Sequence, residues 1–262
     1  MLYICSCTKI TFQLRYFIKL AYKGTNYHGW QYQPNAITIQ ELVNKALSTL
    51  LKSTIDVVGA GRTDAGVHAT EYYAHFNVDD EINTDELVYK VNAILPNDIV
   101  VYAIFSTKED LHARFDATAR SYEYHIFLGR NPFKIETTWQ IIHKKIDVAA
   151  MNKAAKLLLN YENFKSFSRS NTDVRTYNCK IERAEWQLNN TNLIFYITAD
   201  RFLRNMVRAV VGTLLDVGTG RTSLKEFKKI IESKNRSNAG PSVPAKGLFL
   251  TKITYPKNSL NE

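Results

Sequence analysis

The chain predicts an α+β protein made of two α/β halves, and three observations carry that expectation. Short runs of alternating apolar residues recur along the 262 residues, which is the period of half-buried strands. Between the runs stand helix starts of the capping-box type, Thr38-x-x-Glu41 and Ser223-x-x-Glu226, where a hydroxyl and a carboxylate satisfy free N–H groups of the first turn. The strand and helix rhythm of the first half returns in related form after Gly129-Arg130-Asn131-Pro132. Two sheets on one plan follow, mixed but mainly antiparallel. The halves fall at residues 15–130 and 147–257, with a connector at 131–146, an N-terminal extension at 1–14 and a tail at 258–262.

Taken in order, residues 16–22 alternate as a strand. Gly24-Thr25-Asn26-Tyr27-His28-Gly29-Trp30 follows as a loop rich in glycine and aromatics. After Thr38, residues Ile39, Leu42, Val43, Ala46, Leu47 and Leu50 recur at helical spacing, giving one apolar face to lay on a sheet. Residues 55–58 and 72–78 are β-prone and flank a glycine-rich string. Asn83 or Thr84 caps a second helix with Leu87, Val88, Val91, Ile94 and Leu95 on one side, and Pro96 stops it. Strands at 99–105 and 119–126 enclose a polar connector at 112–117.

In the second half Asp147 caps a helix to residue 159, with Ala150, Met151, Ala154, Ala155 and Leu158 inward. Residues 164–171 form a polar-aromatic loop containing Lys165 and Arg169. Asn189-Asn190-Thr191-Asn192 marks a hairpin between strands at 179–188 and 193–199. A long apolar helix spans 202–217 and stops at Gly218 and Gly220. Its start carries Arg201, Arg204 and Arg208, spaced three and four apart and so expected on one face. A helix at 223–232, a loop at 239–247 and a strand at 248–255 close the chain.

Apolar content of 45% and aromatic content of 12% exclude a disordered chain. A net charge of +9 favours a polyanionic partner such as nucleic acid. Three cysteines, Cys5, Cys7 and Cys179, argue against a disulfide framework and suit a reducing cytoplasm. Cys5-x-Cys7 has no further Cys or His close after it, so free thiols are expected there rather than a metal site. No apolar run reaches the length of a membrane span, and residues 1–13 make a poor signal peptide.

The chemistry concentrates in Gly59-Ala60-Gly61-Arg62-Thr63-Asp64-Ala65-Gly66-Val67-His68. Gly59, Gly61 and Gly66 permit positive φ or close approach of the backbone. Between them sit a cation, a hydroxyl and a carboxylate, and two flanking strands can hold Asp64 in one orientation. An Asp among glycines equally describes an ordinary turn. The string is neither a P-loop nor a dinucleotide fingerprint, because no Gly-Lys-Ser/Thr follows and G-x-G-x-x-G is not met.

Gly61-Arg62-Thr63-Asp64-Ala65-Gly66-Val67-His68 closely resembles the catalytic motif of the tRNA pseudouridine synthase I (TruA) family. Three further strings extend the resemblance: Ala119-Arg120-Ser121-Tyr122-Glu123-Tyr124, Phe202-Leu203-Arg204-Asn205-Met206-Val207-Arg208, and Pro244-Ala245-Lys246-Gly247-Leu248-Phe249-Leu250. Together they span about residues 15–255, leaving the extension outside. The resemblance implies the pseudouridine synthase fold, with a cleft between the two halves lined by both sheets. It implies that Asp64 is the catalytic nucleophile, that Arg208 pairs with it and that Tyr122 stacks on the target uracil. Arg62 would contact phosphate or fill the space that the base vacates, and Leu248 would close the pocket. The implied reaction converts uridine to pseudouridine at positions 38, 39 and 40 of the tRNA anticodon stem-loop. It needs no cofactor or metal, and the implied assembly is a cytoplasmic homodimer. Two rivals stand beside this reading. One is an RNA-binding module without chemistry; the other is a carboxylate glycosidase, which would want two carboxylates where the motif offers one.

Overall fold

A computed structural model describes residues 13–142, 145–170 and 174–260. Most of the expected extension, the Cys5-x-Cys7 pair, the end of the 164–171 loop and the end of the tail lie outside the described residues. Element order in the first half agrees with the sequence reading: β1 (Leu14–Tyr22), α1 (Ile39–Leu51), β2 (Val58–Gly59), β3 (His68–Val78), α2 (Thr84–Ile94), β4 (Ile99–Ser106) and β5 (Ala119–Leu128). The second half holds β6 (Trp139–Ile141), α3 (Val148–Leu157), β7 (Ile181–Asn189), β8 (Asn192–Ala199), α4 (Met206–Gly218), α5 (Leu224–Glu232) and β9 (Leu248–Thr254).

The helix starts follow from their caps. Thr38 accepts from the Glu41 N–H, Asn83 from Glu86 and Asp147 from Ala150. Ser223 and Glu226 form a complete capping box, with the Ser223 N–H donating to the Glu226 carboxylate at 2.7 Å.

The α+β class and the mainly antiparallel pairing hold, but the two expected sheets are one. A single nine-stranded sheet runs in the order β4-β1-β3-β9-β5-β8-β7, with β2 added to β3 and β6 to β5. Among the described residues only β3–β9 and β5–β6 are parallel. The halves join because β9, the last strand, inserts between β3 and β5. Its contact with β3 is short, His68 opposite Phe249 and Ala69 opposite Leu250. The seam therefore begins at the last residue of the glycine-rich string.

Two apolar cores flank that seam. One gathers the faces of α1 and α2 against β1, β3 and β4, with Phe17, Leu47, Tyr72 and Val91 buried in it. The other surrounds α4, with Met151, Phe164, Phe195 and Val210 buried. Among the described residues no helix is long and apolar enough to cross a membrane.

Three local departures have physical causes. The run at 55–58 yields a strand only at Val58–Gly59, because side chains of α1 take its backbone groups instead. The Ile55 N–H donates to Ser48 Oγ at 2.9 Å, the Val57 N–H to Asn44 Oδ1 at 3.0 Å, and the Val57 carbonyl accepts from Gln40 at 2.8 Å. The connector holds a strand, β6, that its sequence did not announce. The long helix starts at Met206, four residues later than expected. Its N-cap, Asn205, is left-handed at φ 64°, a conformation that breaks a right-handed helix and that Asn tolerates better than most residues. Arg201 and Arg204 thus precede the helix, and the expected three-arginine face does not form.

Candidate active site

Each wall of the site is held by a separate set of contacts. Tyr72, fully buried on β3, stacks on Trp30 at 4.1 Å between ring centroids. Its hydroxyl donates to the Gly61 carbonyl and accepts from the Gly61 N–H at 3.3 Å. Gly59 passes so close to this pair that a Cβ there would sit 2.3 Å from both Trp30 Nε1 and Tyr72 Oη. Past Asp64 the chain turns back, with the Val67 N–H donating to the Asp64 carbonyl at 3.1 Å and Gly66 at φ +77°. Gly61 needs neither device: its φ is ordinary and a Cβ would meet open space. Thr63 is held by a 2.9 Å hydrogen bond between its hydroxyl and that of Tyr22.

From the other side, α4 presents Arg208 in its first turn. One guanidinium nitrogen donates to Asp64 Oδ2 at 3.4 Å, and Nε donates to the Val243 carbonyl at 2.7 Å. The Val243 N–H returns a bond to the Arg208 carbonyl at 3.2 Å. The side chains of Arg208 and Asp64 are 21% and 28% exposed, so the pair sits at the mouth of the site rather than deep in the core. Solvent reaches the carboxylate, and so can a ligand.

Tyr122, on β5 between the two cores, is half-buried and meets Phe202 edge to face at 5.1 Å and 85°. Burial pushes its phenol up to about 12, the Arg120 guanidinium lowers it, and the Asp64 carboxylate raises it again. The ring stays neutral through the physiological range and is available as a flat stacking surface.

Asp64 and Arg208 therefore meet from a loop and a helix, and Tyr122 on β5 stands near enough for the Asp64 charge to act on its phenol. Arg62 is exposed on the same loop, two residues before Asp64. Leu248 is buried in the second core at 6% exposure, opposite Tyr124 in the β5–β9 register.

Two residues of this site carried no assignment from sequence. His68, 1% exposed, ties three segments. Its Nδ1 accepts from the Gly24 N–H at 2.9 Å, and its Nε2 lies 3.1 Å from the Lys246 carbonyl and 3.2 Å from that of Glu136. An acceptor at Nδ1 and carbonyls at Nε2 fix the neutral tautomer with its proton on Nε2. Burial, foremost, lowers its pKa. Arg120 donates to four backbone carbonyls around the loop. Two sequence signals pointed to it without giving it a role: its place in the motif string at residues 119–124 and its spacing of two from Tyr122, since strand neighbours two apart share a face.

A carboxylate held by a cation, open to solvent and beside a neutral aromatic ring can act as a nucleophile toward a stacked planar substrate. A family profile described as tRNA pseudouridine synthase matches residues 19–116 and 154–256. The chain is 53% identical over 245 residues to a protein named tRNA pseudouridine synthase A from Bacteroides fragilis, covering 93% of this chain and 97% of that one. It is 39% identical over 240 residues to the protein of the same name from Clostridium acetobutylicum, covering 91% and 98%. With the profile matching both halves of the chain, and Asp64 and Arg208 each inside a matched segment, the chain belongs to the tRNA pseudouridine synthase family of isomerases.

Proposed function

We propose that this protein isomerises uridine to pseudouridine in tRNA, at positions 38, 39 and 40 of the anticodon stem-loop, with Asp64 as the nucleophile. The observation that carries this reading is the Asp64 carboxylate held 3.4 Å from Arg208 at the mouth of the site. Uracil must leave through N1, turn and rejoin the ribose through C5. No atoms are gained or lost: C5 gives up a proton and N1 ends with one. Asp64 holds the ribose or the base while the glycosidic bond is broken. Extruding a base from a stem-loop costs about a few kcal/mol. Stacking on Tyr122, worth roughly 1–3 kcal/mol in comparable sites, offsets part of that. Arg62 is exposed and reaches for phosphate or the space left by the base. Leu248, from within the second core, backs the pocket.

The +9 charge supports RNA as the partner, and the family likeness supports a cytoplasmic homodimer in which one tRNA touches both subunits. The test is tritium release from tRNA labelled at uridine C5, with pseudouridine mapped in the product. Wild type should release tritium and modify residues 38–40, and Asp64→Asn should not. Binding without release by the wild type would favour the module without chemistry. Modification confined to other positions would overturn the site assignment alone.

A further inference from the structure

We propose that Arg120 is a positioning residue, one that sets the distance between Asp64 and Arg208 from behind. The proposal rests on the catalytic reading of Asp64 given above.

Arg120 stands on β5 two residues before Tyr122. The register of β5 against β8 is regular from Arg120 to Phe127, so Arg120 and Tyr122 lie on the same face of the strand. Its guanidinium is spent entirely on backbone. Nη1 donates to the Ala117 carbonyl at 2.8 Å and the Asp200 carbonyl at 2.9 Å. Nη2 donates to the Arg114 carbonyl at 2.7 Å and the Ala60 carbonyl at 3.3 Å. Among the described residues no carboxylate forms an ion pair with it.

The four acceptors come from three stretches of chain that need not have met. Ala60 lies four residues before Asp64, on the loop that carries the carboxylate. Asp200 directly follows β8 and starts the short crossing that leads to α4 and Arg208. Arg114 and Ala117 belong to the connector that delivers β5 itself. One planar fork therefore touches the approach to both members of the ion pair, and it sits on the strand that carries the stacking ring. A fixed fork with several coplanar donors suits this task; an ammonium, a point charge on a flexible stem, does not. Carbonyls are the right acceptors too. They belong to the backbone, so the tie transmits position and leaves the Asp64 carboxylate free.

This predicts a separation between binding and turnover. RNA affinity is spread over many cations, whereas misplacing reacting groups by about 1 Å costs on the order of 100-fold in rate. Arg120→Lys, which keeps the charge and loses the fork, should lower kcat 30- to 100-fold and leave KM for tRNA within about threefold. Arg120→Gln should show the same split, which excludes a mere charge effect. Asn92→Ala serves as the structural control. Asn92 ties α2 to β4 through two 2.8 Å bonds with the Val101 backbone, far along the chain from every group named in the site. It should lower stability with kcat unchanged.

All variants are assayed on the full chain, well below their unfolding midpoints. The proposal is overturned if Arg120→Lys matches the control in kcat at comparable stability, or if its defect lies in KM alone. Failure of both Arg120 variants to fold overturns it as well, because the residue would then be a structural staple without a separable role. Asp64→Asn run alongside keeps the two readings apart. An active Asp64→Asn sinks the nucleophile assignment; an inactive one beside a normal Arg120→Lys sinks only the positioning role.

Discussion

Asp64 and Arg208 meet at 3.4 Å while both remain partly exposed, and that exposure sets the scale of what their pairing contributes. A fully buried pair broken on one side loses about 3–5 kcal/mol, whereas exposed pairs are worth about 0.2–1 kcal/mol. With solvent at the carboxylate, the coupling in a double-mutant cycle should lie near 1 kcal/mol. Arg208→Met should cost more than that coupling, because it also orphans the Val243 carbonyl. Urea unfolding of Asp64→Asn, Arg208→Met and the double variant measures both quantities. A coupling indistinguishable from zero would mean that the contact contributes geometry and no stability. Turnover is expected to be more sensitive: Asp64→Asn should abolish it and leave tRNA affinity within a few-fold, read by filter binding beside tritium release. Arg208→Lys should recover little activity, since an ammonium cannot span both Asp64 and the Val243 carbonyl.

At the scale of elements, the start of α4 decides where Arg208 points. An L residue at positive φ costs about 1–2 kcal/mol, and Asn among the least. Asn205 stands at φ 64°, and its side chain donates to Ser242 Oγ at 2.5 Å, which ties the helix start to the loop holding Val243. Asn205→Val should therefore destabilise the protein by about 1–2 kcal/mol and reduce turnover, since Arg208 lies three residues on. Asn205→Gly keeps the backbone and loses only the side-chain bond, so its loss should be less than half as large. Equal losses in urea unfolding would show that the Ser242 bond, and not the backbone conformation, sets the helix start. The same logic holds at β2, where Ser48, Asn44 and Gln40 of α1 take up backbone groups that a longer strand would have paired.

Over the whole molecule, two buried histidines make the fold sensitive to acid. His75, 4% exposed, accepts the Ala113 N–H at 3.1 Å. Burial, then the Arg15 cation and His112, lower it from an ordinary 6.5 to about 4; His68 moves in the same direction. The unfolded chain takes up these protons below about pH 6.5 and the native protein does not. Their contribution is thus complete above pH 6.5 and is lost below it, for His75 as pH falls toward 4. Each histidine can add up to about 1.4 kcal/mol per pH unit to the slope of stability in that window. His75→Asn, which keeps an acceptor for the Ala113 N–H, should flatten the slope between pH 6.5 and 4.5 relative to wild type. An unchanged slope would show that His75 titrates normally. At the same scale, the +9 charge predicts that log affinity for tRNA falls linearly with log salt, by about 0.7–0.9 for each phosphate neutralised. Affinity that is flat across salt would remove the polyanion as the partner.

The sequence alone determined whatever is local. Helix faces, caps and β periods are written within ten or fifteen residues, which is why Thr38, Asn83, Asp147 and Ser223 marked their helices and the first half kept its predicted order. The long motif string did the same for the chemistry, because Asp64 must stand beside particular neighbours in the chain. Tertiary structure decided the rest. That β9 would enter between β3 and β5, merging two sheets into one, depends on a pairing between His68 and Phe249 that lies 181 positions apart in the chain. That Arg201 and Arg204 would leave the helix depended on one left-handed residue, Asn205. Arg120 stood in a motif string, but its contacts were hidden for a more basic reason. Its four acceptors are carbonyl oxygens, and a carbonyl is the same group on every residue, so no pattern of side chains can announce which ones a folded chain will bring within reach.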